Sequence, residues 1–174
     1  AVLPAWRPDK AMNLEKPDYT DYISKLSSVS GVAIKTFEDL KKALVIRIEF
    51  FASMGCCVSD HALEYVMYEP ATDAQIEAIF AKAMAKETIT RQEEMQFKTA
   101  FMTFVSGEYN KRNWVLQLHY GCKRDNNKPM FVKLGPDTGY DCINNYAPSA
   151  QTADFLNHLI EKDSLPKTIL YSLN

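Results

Sequence analysis

The sequence predicts an α/β fold built on a parallel sheet. Short apolar runs alternate with long stretches of helical periodicity, the order expected of strands joined by right-handed crossover helices. The apolar runs also end in polar groups suited to chemistry: Arg7 after AVLPAW, Asp60-His61 after CCVS, His119 after WVLQL, and Ser172 with Asn174 after TILY. Parallel β/α proteins place catalytic groups in this way, at the carboxyl ends of their strands. The pattern points to an enzyme, or to part of one.

Each element has its own justification. Ala1–Trp6 is apolar and predicts a first strand, stopped by Pro8, with Asp9-Lys10 opening a loop. Asp18 or Thr20 is placed to cap a short helix through about Ser27, and Gly31 punctuates the chain. Thr36 is a natural N-cap, and Asp39 three positions on favours the positive helix start. Phe37, Leu40, Leu44, Ile48, Phe51 and Ala52 then fall on one helical stripe, which Gly55 ends in a left-handed conformation. Cys56–Ser59 reads as the next strand. Beyond Pro70, Thr72 caps a helix carrying Ile76, Ile79, Phe80, Ala83 and Met84. Thr90 with Glu93 forms a capping box for a helix to about Asn110, with Met95, Phe97, Phe101, Met102 and Val105 on its apolar side. Trp114–Leu118 is a strand. Cys122–Ser149 reads as a long irregular segment with two turn-forming clusters, and a loop of that length favours function. Gln151–Lys162 is amphipathic through Phe155, Leu156, Leu159 and Ile160, and Thr168–Leu173 is the last strand.

With 174 residues the chain can bury one sizeable core. Its formal net charge of −2 leaves no basic excess to neutralise a phosphate backbone, so nucleic acid is not an expected partner. Nor is a membrane expected, since no apolar run approaches the roughly 20 residues of a span. Cys56, Cys57, Cys122 and Cys142 contain no C-x-x-C pair and are expected to be free, buried thiols in a reducing cytosol. The apolar opening without Met and the stop just after another apolar run lead to the expectation of an internal piece of a longer protein.

Among candidate functional groups, Arg7 carries a planar fork suited to a carboxylate or phosphate, with an ion pair to a neighbouring acid as the structural alternative. Asp60 and His61 are neighbours on a strand, so their side chains point to opposite faces and one of them is expected to face a site. Gln117 and His119, two residues apart, share a face. His158 lies in a helix with no comparable context. No His-x-His pair, His-Glu-x-x-His helix, phosphate loop, dinucleotide fingerprint or nucleophile elbow occurs.

The segments VLPAWRPDK (2–10), GCCVSDHALE (55–64), WVLQLHYGCKRDNN (114–127), FVKLGPDTGYD (131–141) and LPKTILYSLN (165–174) together resemble the uronate, or glucuronate, isomerase family of the amidohydrolase superfamily. The match runs in order over essentially the whole chain. The resemblance implies that residues 1–174 form a partial domain, about four β/α units of a TIM (β/α)8 barrel of the metal-dependent hydrolase type, from roughly the fourth strand to the seventh. It implies an aldose–ketose isomerase of sugar-acid catabolism, interconverting D-glucuronate with D-fructuronate and D-galacturonate with D-tagaturonate. Arg7, Asp60 and His119 match active-site positions: Asp60 and His119 as catalytic residues, and all three as contacts to the hexuronate. His61, Gln117 and Asp137 are supporting candidates, and the GPDTG loop is expected on the active-site face. Members often carry a divalent metal, usually zinc. The family's first-strand His-x-His and the Asp and Arg near its eighth strand are absent here, so the principal metal ligands are expected outside this piece. The remaining barrel segments, a homo-oligomeric partner and a cytoplasmic setting complete the expectation, with the isolated piece inactive. The alternatives are a metal-dependent hydrolase of the same superfamily and a non-catalytic scaffold fragment.

Overall fold

The computed structural model describes residues 2–146 and 148–172. In chain order the elements are α1 (Asp9–Met12), α2 (Tyr19–Ser30), α3 (Phe37–Ser53), β1 (Val58–Ala62), α4 (Asp73–Met84), α5 (Arg91–Lys111), β2 (Val115–Tyr120), β3 (Cys122–Lys123), α6 (Lys128–Leu134), β4 (Cys142–Ile143), α7 (Ser149–Glu161) and β5 (Lys167–Ser172).

Three helices begin as local chemistry dictates. Thr36, Thr72 and Thr90 each accept from the amide three residues on, while Asp39, Gln75 and Glu93 reach back to the cap amide. Each box satisfies two of the amides that a helix start leaves without partners. The start of α3 gains a tertiary cap as well, because Glu77 of α4 accepts from the Phe37 and Glu38 amides at 2.8 and 3.1 Å. The apolar stripes then meet. Phe37, Phe80, Phe97 and Phe101 from α3, α4 and α5 form a chain of ring contacts, with Phe80 and Phe97 stacked at 6.1 Å. Offset and edge contacts of this kind add to the burial of the rings.

The sheet order is β1-β2-β5, all parallel, with Asp60 opposite Gln117, and His119 opposite both Ala62 and Tyr171. Trp6 extends the ladder past β1: its amide donates to the Val58 carbonyl at 3.0 Å, and its own carbonyl accepts from the Asp60 amide at 2.9 Å. The sheet therefore follows chain order, with helices joining the strands. On one face Ser59, His61, Leu116 and Leu118 are fully buried against helices, while Leu170 of β5 on that face is exposed. The other carries Asp60, Gln117, His119, Ile169 and Tyr171 and is partly open.

Several expectations are corrected. The first strand predicted over Ala1–Trp6 reduces to the single bridge at Trp6; Ala1 lies outside the described residues, Val2 and Leu3 are exposed, and Pro4 has no amide to donate. The Asp9-Lys10 loop is a one-turn helix. The strand predicted over Cys56–Ser59 begins two positions later, because Cys56 still donates its amide to the Phe51 carbonyl in the turn that closes α3. The segment predicted to be irregular contains α6, capped by Asn127 and carrying Pro129 in its first turn, and the antiparallel pair β3-β4. The thiols are free, yet only Cys56 is buried; Cys57 and Cys142 are exposed and Cys122 is intermediate. Ile160, assigned to the apolar face of α7, is exposed, because the face that α7 presents to α5 is set by Phe155 and Leu159. No helix among the described residues is long and apolar enough to cross a membrane.

Candidate active site

The site is built on β1 and β2; β1 runs on to Ala62, so Asp60 and His61 lie within the strand and not, as predicted, after it, while His119 sits near the end of β2. Asp60 and His61 point to opposite faces, as their adjacency requires. On the open face the Asp60 carboxylate meets two groups. Arg7 Nη2 lies 2.5 Å from Oδ2, and His119 Nε2 lies 3.0 Å from Oδ1. The His119 contact has the distance of an ion pair without the alignment of a hydrogen bond, and Oδ1 is buried with its acceptor direction unused. Arg7 and His119 remain about half exposed, so both can reach a ligand.

The His119 imidazole lies flat on Tyr171 of β5, with ring centroids 4.3 Å apart and planes 7° from parallel. Gln117 shares that face and donates to the Tyr171 hydroxyl at 3.4 Å. Cross-strand register alone produces this cluster, since His119 and Tyr171 are directly paired.

Behind the sheet, Asp9 Oδ1 lies 2.8 Å from His61 Nδ1, and Asp9 Oδ2 accepts from the Ala62 amide at 2.8 Å. His61 Nε2 meets the Tyr109 hydroxyl at 3.2 Å, and both rings are fully buried. Burial holds the Tyr109 phenol well above its usual value, so it keeps its proton.

A cleft of about 820 Å³ opens beside His119 and Tyr171, bounded by Glu15, Glu64, Arg91 and Arg124. One wall is a chain of alternating charges. Lys98 Nζ bonds Glu15 at 3.2 Å and Glu94 at 2.6 Å, while Arg91 bonds Glu94 at 3.0 Å and Glu64 at 2.6 Å. Burial alone raises the Glu94 pKa, but the bonds and charges of Lys98 and Arg91 outweigh it and hold the carboxyl below its usual range. Arg91 is partly desolvated, yet its bonds to Glu64 and Glu94 raise it further and keep it charged.

Thus Arg7, Asp60 and His119, far apart in sequence, converge, and Gln117 joins them through Tyr171. His61 faces away from the cleft. Asp137 is largely exposed and approaches the site only through Arg124, which it meets at 3.5 Å and which lines the cleft. Ser172 lines the cleft, Asn174 lies outside the described residues, and His158 on α7 pairs with the Tyr68 hydroxyl. Tyr171, Asp9 and the Arg91–Glu94–Lys98 wall were not singled out from sequence. The i, i+3 and i+4 spacing of Arg91, Glu94 and Lys98 is a signal that could have found the wall. Among the described residues no three His, Cys, Asp or Glu side chains gather as a metal cluster, so these residues do not compose the three- or four-ligand set that zinc requires.

A family profile for glucuronate isomerase matches residues 1–174. A uronate isomerase of Lachnoclostridium phytofermentans is 66% identical over 173 residues, covering 99% of this chain and 37% of that protein. One from Lachnospira eligens is 63% identical with the same coverage. The crystal structure of uronate isomerase from Thermotoga maritima matches with a TM-score of 0.91 at 34% identity, over 99% of this chain and 38% of that one. Glucuronate isomerase from Caulobacter crescentus matches with a TM-score of 0.87 at 22% identity over 99% of this chain and 36% of that one, a likeness of fold. The chain spans little more than a third of the length of these relatives. Family profile, sequence identity and overall shape agree, and the chain belongs to the glucuronate isomerase family.

Proposed function

We propose that the protein to which these residues belong is a hexuronate isomerase, interconverting D-glucuronate with D-fructuronate and D-galacturonate with D-tagaturonate. The observation that carries this reading is the meeting of Arg7, Asp60 and His119 on the open face of the sheet, with Asp60 midway along β1 and His119 near the end of β2, where His119 lines a cleft. Aldose–ketose isomerisation requires ring opening, removal of a proton from the carbon beside the carbonyl, and its return to the neighbouring carbon. A hydroxyl proton also passes from one oxygen to the other. Such a reaction needs acid and base groups and stabilisation of an enediol-like charge. Arg7 spends one edge of its fork on Asp60 and turns the rest to the substrate carboxylate. Asp60 Oδ1, an acceptor without a hydrogen bond, is the group to take up a hydroxyl proton once the site rearranges around substrate, and His119 is the neighbouring donor. Gln117 and Asp137 support the site at greater remove.

The same reading makes residues 1–174 a partial domain of about four β/α units, from the fourth strand to the seventh of a (β/α)8 barrel. Support comes from the sequential, parallel order of the Trp6 segment, β1, β2 and β5, with helices covering one face. The open face would then look inward, toward the remaining barrel segments. A divalent metal such as zinc would be held by ligands outside these residues. A homo-oligomer in the cytoplasm is the expected setting.

The test is ketose formation by the full-length protein from D-glucuronate and from D-galacturonate. Turnover of either is expected, and turnover of neither overturns the reading. Residues 1–174 alone are expected to self-associate and to lack turnover; a stable monomer with the full protein's activity would refute the partial barrel.

A further inference from the structure

We infer that Asp9, His61 and Tyr109 form a buried clamp that positions Asp60 from behind the sheet, with Asp9 as its anchor. The inference rests on the reading of Asp60 as a reacting group. The segment from Trp6 to Asp9 grips β1 on both faces. In front, Arg7 holds the Asp60 carboxylate at 2.5 Å. Behind, Asp9 holds the next two residues of the strand, His61 by its ring and Ala62 by its amide, each at 2.8 Å. The Asp60 amide itself donates to the Trp6 carbonyl at 2.9 Å. Asp60 is therefore fixed by its own amide, its own carboxylate and its two following neighbours, all from one stretch of four residues.

The chemistry of the clamp has a direction. An ionised carboxylate only accepts, so both groups facing Asp9 must donate. His61 thus carries a proton on Nδ1. In the neutral ring Nε2 is then the acceptor, and the Tyr109 hydroxyl donates to it. The orientation of three buried side chains follows from the single charge on Asp9. A carboxamide in its place has one acceptor for two donors. With its oxygen kept by the Ala62 amide, its nitrogen faces His61 Nδ1, and the ring must shift its proton to Nε2 and reverse the Tyr109 bond. The fold tolerates the exchange of shape, while the hydrogen-bond polarity of the clamp is inverted. Asp9 and His61 lie behind the sheet and do not line the cleft; they are positioning residues.

The experiment uses the full-length protein with nitrogen-15 labelled histidine, and His61 is assigned from the signal lost in His61→Gln. In the unaltered protein the His61 Nδ1 is expected to be protonated. In Asp9→Asn the proton moves to Nε2, and kcat on D-glucuronate falls roughly 10- to 100-fold with KM within about twofold, as expected when geometry at a reacting group loosens while substrate contacts remain. An unprotonated Nδ1 in the unaltered protein overturns the inference, as does a proton shift in Asp9→Asn with kcat unchanged. Should Asp9→Asn fail to fold, Tyr109→Phe decides: Nδ1 stays protonated if Asp9 sets the tautomer, and a shift to Nε2 overturns it. Absence of isomerase turnover in the unaltered protein refutes the proposed function, and the clamp is then judged by the nitrogen spectra alone.

Discussion

The two faces of the three-stranded sheet divide labour between neighbouring residues. Leu118 is fully buried against the helices, whereas Gln117 beside it faces the open side and meets Tyr171. His61 has both ring nitrogens partnered in a dry interior, whereas Asp60 beside it has a buried oxygen without a hydrogen bond and an exposed guanidinium across from it. On the buried face His61 and Ser59 have their polar groups matched and the leucines of β2 are packed, as stability demands. The open face keeps unused hydrogen-bonding capacity, as binding demands. The period of two along a strand lets one short segment serve both ends.

The largest contrast should come from Leu118→Ala set against Gln117→Ala. The first leaves a cavity and is expected to lower unfolding free energy by about 2–5 kcal/mol. The second is expected to change it by less than about 0.5 kcal/mol. Urea unfolding of both variants checks the pair, and equal losses would erase the distinction between the faces.

Next, Arg7→Lys should reverse the pattern, sparing stability and costing activity. Lys keeps the charge and loses the planar fork. One lost charge-assisted contact of about 2–3 kcal/mol corresponds to roughly 30- to 150-fold in rate. Steady-state kinetics on D-glucuronate give the answer, and an unchanged rate and affinity would make Arg7 a structural partner of Asp60 only.

A smaller effect belongs to the helix starts that support the buried face. Thr90→Ala breaks the capping box of α5 and is expected to cost about 1 kcal/mol in thermal or chemical unfolding, with kinetics intact in the folded fraction.

The mildest test is pH. The Lys82 ammonium and then the Thr90 amide hold the Glu93 carboxyl down to about 2, while Glu94 and Glu108 sit below their usual range because their cationic partners outweigh burial. A carboxyl lowered by folding stabilises the fold above its unfolded value and loses that contribution as pH falls through its folded value. Stability should therefore be flat down to about pH 4.5 and decline from there toward pH 2. Lys82→Met should weaken the decline. A decline equally steep in that variant would remove Glu93 from the account.

The helices were legible because their signals are local. Thr36, Thr72 and Thr90 each sit three residues before an acid or amide that completes the cap, and the stripes behind them recur at helical spacing. The short helix α6 carried a local signal too, in Asn127 followed by Pro129, but a turn uses the same residues. The strand over Ala1–Trp6 was misread because apolar composition says nothing about whether a pairing partner lies alongside; only Trp6 finds one. Arg7, Asp60 and His119 could be named because each closes an apolar run. Tyr171 could not, since its role comes from register with His119 across a strand boundary, and Asp9 could not, since its partners lie some fifty residues away.

The Asp9 carboxylate has one more consequence. Along the outer side of β1, the Asp60 amide is taken by the Trp6 carbonyl and the Ala62 amide, the next rung, by Asp9 Oδ2. A side chain thus continues the ladder where the neighbouring backbone has already turned into α1. Over these two rungs β1 itself offers no free amide to an incoming strand, and the buried charge would be stranded if one displaced it. The other edge, β5, carries no such seal among the described residues and displays Ile169, Leu170 and Tyr171 to solvent. Strand addition in a misassembled sheet should therefore grow from β5 in preference to displacing the segment that seals β1.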